Sequence, residues 1–360
     1  MVYFLFMFWR RAGLLGIAAA VAVGVAAPGA ASAAGTTTGP ATTTAPATTT
    51  PATTTTPATT PVTKPVAPAA AKVTLYLPDA FFVHRQPVTV PRRLFHVVGI
   101  VRPYVAGQWV HVRAFLEGRR IKTDLLRLKP SRNHAYGRFR ETIASPGTGA
   151  VVVSVVHGAT AQQAGFSAHR SLASLNESVG FGSTGRFVEL IQQRLAALHF
   201  YIPQTGVYDQ GTGLAIDAYH RLLRSGTSQT LDGRTTSFLL DGFGAFKVRF
   251  PHHGRHAEGN LSLQVLALVD GSRVNLIYPI SSGKPSTPTI LGDFQVYSRV
   301  PGYLPDGMYY SDFFIRGYAI HGYDPAPDYP ASHGCMRLPI VDATSAFGWL
   351  ALGDWVDVYY

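Results

Sequence analysis

The chain has 360 residues, long enough for two or three compact domains. With 46% hydrophobic residues, including 17 Tyr and 20 Phe, it can bury real cores. Only 14% of its residues are charged, which excludes a charge-driven disordered protein. The formal charge of +11 suits a polyanionic neighbourhood: acidic lipid headgroups, anionic wall polymers or nucleic acid. No basic run with interleaved aromatics occurs, so nucleic acid is the poorest fit of the three and no nucleic-acid partner is expected.

Residues 1–34 read as an export signal. Arg10 and Arg11 precede an uncharged stretch, residues 12–34, that ends Ala30-Ala31-Ser32-Ala33-Ala34. A basic start, an apolar run and an Ala-x-Ala processing site describe a secretory signal peptide. The alternative is an uncleaved membrane tether through 12–34, since the run is just long enough to span a bilayer. Tyr3 to Trp9 are unusually apolar for the leading region, and a start at Met7 gives a more ordinary signal. Residues 35–71 are almost entirely Thr, Pro and Ala. Such a stretch buries nothing and favours extended polyproline II, so it reads as a disordered linker.

Residues 72–170 switch to short alternating apolar runs, such as Trp109-Val110-His111-Val112-Arg113-Ala114-Phe115, punctuated by turn residues at Glu117-Gly118 and Ser145-Pro146-Gly147. Period-2 runs at this spacing predict an immunoglobulin-like antiparallel β-sandwich. Residues 178–243 are helical: Val188, Ile191, Leu195 and Leu198 form one apolar stripe. Thr212 is placed as the cap of a second helix, and a third follows the turn Asp232-Gly233. From 246 to 360 strands return. The run 261–269, the turn 270–273 and the run 274–280 make a hairpin, with further strands at 292–297 and 355–360 and a helix over 341–350. The fold class expected is therefore multidomain and mainly β, with a small three-helix domain between a sandwich and a mostly-β C-terminal domain.

The chemistry centres on one residue. Exported proteins usually hold cysteines in pairs, yet this chain has a single one, Cys335, in Ser332-His333-Gly334-Cys335-Met336-Arg337. Ile320-His321-Gly322 lies upstream. A free thiol is only slightly ionised at neutral pH and needs a base or cationic neighbours to act as a nucleophile. Two histidines and an arginine supply both, so these residues point to acyl transfer at sulfur; the alternative is a buried, inert cysteine. His252, His253 and His256 raise the question of zinc, but Pro251 and Gly254 argue for a solvated loop, and no metal is expected.

The series Gly185, Val188, Ile191-Gln192, Leu195, Leu198, then Gly206-Val207-Tyr208, Thr212 and Leu231-Asp232-Gly233 resembles the small three-helix peptidoglycan-binding domain. Its loop reads Gln204-Thr205-Gly206 where that family has Asp-Gly. His321-Gly322 with Ser332-His333-Gly334-Cys335-x-Arg337 resembles the L,D-transpeptidase family, the YkuD-type catalytic domain. Ser281-Ser282-Gly283 and Thr289-Ile290-Leu291-Gly292-Asp293-Phe294 extend the likeness over 246–360. The resemblance implies a cell-wall enzyme without cofactor, exported to the wall or the outer face of the membrane, acting on peptidoglycan stem peptides and glycan. Cys335 would form a thioester with a donor tetrapeptide, releasing D-alanine, and an acceptor amine would complete a 3→3 cross-link. His321 would move the protons, oriented by the Gly322 carbonyl. Backbone N–H groups around Gly334 and Cys335 would stabilise the oxyanion. Ser332, His333, Arg337 and Tyr310, with Tyr309, would shape the substrate site. An L,D-carboxypeptidase or exchange enzyme, and a non-catalytic wall-binding structural protein, are the alternatives.

Overall fold

A computed structural model describes residues 67–360. The export signal and most of the Thr/Pro/Ala linker lie outside the described residues. The expected linker end at residue 71 is three residues late, because Ala69 already pairs with the 162–164 segment: its N–H donates to Gln162 O at 2.9 Å, and Ala164 N–H donates back to its carbonyl at 2.9 Å.

The N-terminal part has ten strands: β1 Lys72–Tyr76, β2 Phe81–Val83, β3 Gln86–Thr89, β4 Leu94–Arg102, β5 Trp109–Leu116, β6 Arg119–Arg127, β7 Lys129–Pro130, β8 Gly137–Ala144, β9 Gly149–His157 and β10 Phe166–Ser174. They form two sheets, ordered β1-β4-β8-β7 and β2-β3-β10-β9-β5-β6. The alternation read from sequence explains both. In β9, Val151, Val153 and Val155 are fully buried while their neighbours face outward. They meet Phe95, Val97 and Ile143 of the other sheet in one apolar core. The expected boundary at 170 cuts β10, which runs on to Ser174 because Ala173 and Ser174 pair in parallel with Val88 and Thr89.

Three helices follow: α1 Arg186–Ala197, α2 Gln210–Leu222 and α3 Gly233–Asp241. Asp209, not Thr212, caps α2: its carboxylate accepts the Thr212 N–H at 2.9 Å, so Thr212 lies inside the first turn. Asp232 caps α3 in the same way through Thr235 N–H at 2.6 Å. Gly242 ends it with φ 73°, a left-handed value that glycine adopts without a steric penalty. Buried Gln192 braces the 204–207 loop, its amide reaching Val207 O at 2.9 Å and Thr212 Oγ1 at 3.0 Å while its carbonyl accepts Gly206 N–H at 2.9 Å. The helices keep no core to themselves. Val188, Ile191, Leu195, Ile216 and Tyr219 pack in one cluster with Val83 and Val88 of the N-terminal part and Val265, Ala267, Val269 and Ile277 of the C-terminal part.

The C-terminal part contains β11 Arg255–Asn260, β12 Val265–Asp270, β13 Arg273–Pro279, β14 Gly292–Gln295, β15 Ser298–Tyr303, β16 Tyr309–Ile315, β17 Tyr318–Gly322, β18 Met336–Leu338, α4 Ile340–Trp349 and β19 Trp355–Tyr359. Two sheets, β13-β12-β11-β19-β14 and β15-β16-β17-β18, face each other over a third apolar core. Residues 261–264, expected as the start of a strand, form the turn between β11 and β12. The histidines of 252–256 are only partly a solvated loop: His252 is exposed in the turn 251–254, but His256 is the second residue of β11 and fully buried, bonded to Gly254 O at 2.7 Å and Glu258 at 3.2 Å.

Arg221 joins the helices to the five-stranded sheet. Its Nη1 donates to Gln264 O and Ile280 O, both at 2.8 Å, and its Nη2 pairs with Asp217 at 2.5 Å, with both side chains buried. Burial pushes the Asp217 carboxyl up, and the Arg221 charge opposes that shift. Removing one partner of a buried pair strands the other charge. Arg221→Met is therefore expected to cost about 3–5 kcal/mol, read as a lower midpoint of urea unfolding. A loss under about 1 kcal/mol, the range of exposed pairs, would show that this bridge does not hold the parts together.

Candidate active site

The strands β17 and β18 run parallel, with Ile320 opposite Met336, His321 opposite Arg337 and Gly322 opposite Leu338. Successive side chains in a strand point to opposite faces. Ile320 and Met336 are both in the core. His321 and Arg337 therefore project from the other face, as does Cys335, the residue before Met336. Alternation thus turns three residues scattered over 321–337 into neighbours. They line a cleft of about 480 Å³ together with Asp306, Met308, Arg316, Gly317, Tyr318, Tyr323, Ser332 and His333.

The loop before Cys335 is fixed from within. Ser332 is fully buried; its hydroxyl donates to Cys335 O at 2.6 Å and accepts the Gly334 N–H at 3.0 Å. That commits the Gly334 N–H, so the expectation that it faces an oxyanion does not match the geometry, and Ser332 is a brace of the loop. Gly334 adopts φ +121°, and a Cβ there would overlap the Tyr318 ring at 1.9 Å, so no other residue fits without rebuilding the turn. Gly322 is equally confined: a Cβ would lie 2.6 Å from that of Ala343 in α4.

His321 is only 2% exposed although it lines the cleft. Its Nδ1 lies 2.9 Å from Gly322 O. A carbonyl can only accept, so Nδ1 carries the proton and Nε2 of the neutral ring keeps its lone pair. The Tyr323 ring stands edge-on to the imidazole at 5.8 Å. Arg337 lies over the same Tyr323 ring at 4.0 Å, and its buried Nε has no hydrogen-bond partner. His333 is exposed, its Nε2 3.1 Å from Lys284 Nζ.

Burial sets the protonation of the pair. It holds the imidazole of His321 down at about 4, with the Gly322 carbonyl working against that shift and Arg337 with it. Burial likewise pushes the Cys335 thiol up, opposed by the Ala319 backbone hydrogen bond and Arg337. At neutral pH the resting site thus holds a thiol and a neutral imidazole, not an ion pair. The thiol is 3.8 Å from Gly317 O and makes no hydrogen bond to the ring.

Among the residues expected from sequence, Cys335, His321, Ser332, His333 and Arg337 meet at the cleft. Tyr310 does not line it: its ring stacks edge-on against Tyr309 at 4.6 Å and Phe347 of α4 at 5.1 Å. Tyr323, Tyr318, Asp306, Met308 and Arg316 line it without having been singled out. Tyr323 directly follows His321-Gly322, the one sequence cue available.

Residues 254–358 match the family model described as YkuD, L,D-transpeptidase catalytic domain. The match does not extend to the three helices. Among solved structures, the chain is similar to an L,D-transpeptidase (residues 123–326) from Xylanimonas cellulosilytica, with 29% identity, 51% of this chain and 98% of that chain covered, and a TM-score of 0.45. It is similar to the catalytic domain of the E. faecium L,D-transpeptidase at 28% identity, covering 30% of this chain and 98% of that one, TM-score 0.27. A third is an L,D-transpeptidase from Stackebrandtia nassauensis at 19% identity, 51% and 96% covered, TM-score 0.33. No curated protein matches. The C-terminal part of this chain, from 254 to 358, carries a YkuD-type L,D-transpeptidase catalytic domain.

Proposed function

We propose that this is an exported peptidoglycan L,D-transpeptidase that works through a thioester on Cys335. The observation that carries the reading is the shared face of β17 and β18, which gives one cleft a thiol, an imidazole with its free nitrogen and a guanidinium. Cys335 Sγ attacks the carbonyl carbon of the third residue of a donor tetrapeptide as His321 Nε2 takes the thiol proton. The tetrahedral intermediate collapses with breakage of the peptide bond, and the imidazolium returns that proton to the departing D-alanine amine. An acceptor side-chain amine then attacks the thioester, passes a proton to His321 and leaves as a 3→3 cross-linked peptide, restoring the thiol. With water as acceptor, the net reaction is carboxypeptidation. No step calls for a metal or organic cofactor.

Tyr323 connects this cleft to a second cavity, of about 610 Å³, walled by Gln210 and Leu214 of α2, Gln229, Tyr303 and residues 324–327. Amides beside the exposed Tyr303 ring and the half-buried Tyr323 ring suit a glycan, since each ring offers an apolar face and the amides offer both donors and acceptors. In this reading the helical segment serves wall binding by walling a groove beside the reaction centre, and the positive charge favours approach to anionic wall polymers.

Cys335→Ala tests the central claim. Incubated with a disaccharide-tetrapeptide, the parent chain is expected to yield dimers with loss of D-alanine by mass, and the variant at least about 10⁴-fold less. Retained transfer would end the proposal, and hydrolysed monomers alone would assign the carboxypeptidase reaction. A structural protein without catalysis would form neither product. The pH profile is a second test. An imidazole depressed to about 4 is protonated below that value and neutral above it, so kcat/KM for acylation should rise through pH 4 to 5 and be flat at neutrality. An acid limb near the ordinary histidine value of about 6.5 would contradict the neutral-base assignment.

A further inference from the structure

The sheet that backs the catalytic core has a second face, and its far end carries charge. Glu258 of β11 pairs with Asp357 of β19, which pairs with Asp293 of β14. Three carboxylates thus stand abreast on adjacent strands. They share the face opposite Ala257, Val356 and Phe294, which pack into the core below Cys335. The two ends of the row are treated differently. Glu258 is saturated, accepting from Arg249 N and Phe250 N at 2.8 Å, from Tyr359 Oη at 2.7 Å and pairing with His256 at 3.2 Å. Asp357 is fully buried, and only its Oδ1 has a partner, His253 Nδ1 at 2.9 Å; its Oδ2 has none. Asp293, directly opposite, is exposed.

We infer that His253, Asp293 and Asp357 form a binding site for a divalent transition-metal ion, zinc being the best match. One ring nitrogen and one oxygen from each carboxylate lie within 4.8 Å of one another, a span that small side-chain rotations bring to ligand spacing. Opposed like charges in a strand pair repel, and an oxygen buried without a partner is costly; a cation bound between the two aspartates removes both penalties. One imidazole and two carboxylates are a familiar donor set for zinc, with the fourth position left to water. His253 is held in place for this, stacked between Trp355 at 4.9 Å and Phe250 at 5.4 Å. A bound ion would tie the 250–254 segment, which leads in from the helices, to β19 and the edge strand β14. The site is separate from the cleft, and its role is structural.

The test uses the chain with Cys335→Ala, which removes the thiol as a competing ligand. After stripping with chelator, zinc chloride is added and unbound metal is removed by desalting. About one zinc ion per chain should remain and should raise the thermal midpoint. Asp293→Asn changes only an exposed side chain, and His253→Ala removes the nitrogen ligand. Each is expected to weaken zinc binding at least about tenfold and to abolish the thermal shift. Failure of the parent to retain zinc, or equal retention and an equal shift in Asp293→Asn, would overturn the assignment. If His253→Ala does not fold, the Asp293→Asn comparison alone decides.

Discussion

The geometry of the candidate site depends on the register between two short parallel strands. Met336 and Ile320 fill the core, and because they do, Cys335, Arg337 and His321 must emerge on the opposite face. A slip of one residue would send the thiol inward and a methionine into the cleft. Neighbouring residues guard that register. The main chain of Arg337 exchanges both hydrogen bonds with Ser281, and Ser332 bonds the carbonyl of Cys335 and the amide of Gly334. Gly334 and Gly322 leave no room for a side chain on either strand's approach. Short strands are weak alone, and this one is held by what surrounds it.

The same burial that fixes the geometry sets the electrostatics. A thiol and an imidazole in a dry setting both favour their neutral forms, and Arg337 and Asp306 act on the pair in opposite directions without reversing that preference. In the proposed mechanism, a site kept neutral at rest has its proton transfer coupled to attack, because the sulfur gains charge only as the substrate carbonyl arrives to accept it. Gly322 O then matters more than its modest hydrogen bond suggests. It selects the tautomer with a lone pair at Nε2, without which a neutral ring offers the thiol nothing.

What the sequence disclosed, it disclosed through local rules. Alternation in 149–157 and the helical stripe from Val188 to Leu195 placed β9 and α1 because each pattern is decided by near neighbours. The lone cysteine with its flanking histidines marked the candidate site, since residue type limits chemistry before any fold is known. Long-range contacts were out of reach. Nothing near Tyr310 announces that its ring turns toward Phe347, and nothing near Tyr323 says that Arg337 will lie on it. The strands β15 to β18 lack clean alternation, because register shifts interrupt their pairing at 300–303 and 309–315. His256 misled for a more local reason. Beside Pro251 and Gly254 it looks exposed, while its partner, Glu258, becomes a neighbour only once β11 is extended.

The five-stranded sheet explains why the parts of this chain are not independent modules. Its strands present Leu266, Leu268 and Val356 to the catalytic core on one side. On the other, Val265, Ala267 and Val269 of β12 face the helices, and beyond them the row from Glu258 to Asp293 meets the 246–254 segment. A helix that moved would therefore expose apolar strand surface and strip Gln264 and Ile280 of the guanidinium that bonds their carbonyls. Ile280 adjoins Ser281, which pairs with Arg337. The bridge from α2 and the strand contact that steadies Arg337 thus fall on consecutive residues. Packing at the helices and order at the cleft are consequences of the same few hydrogen bonds.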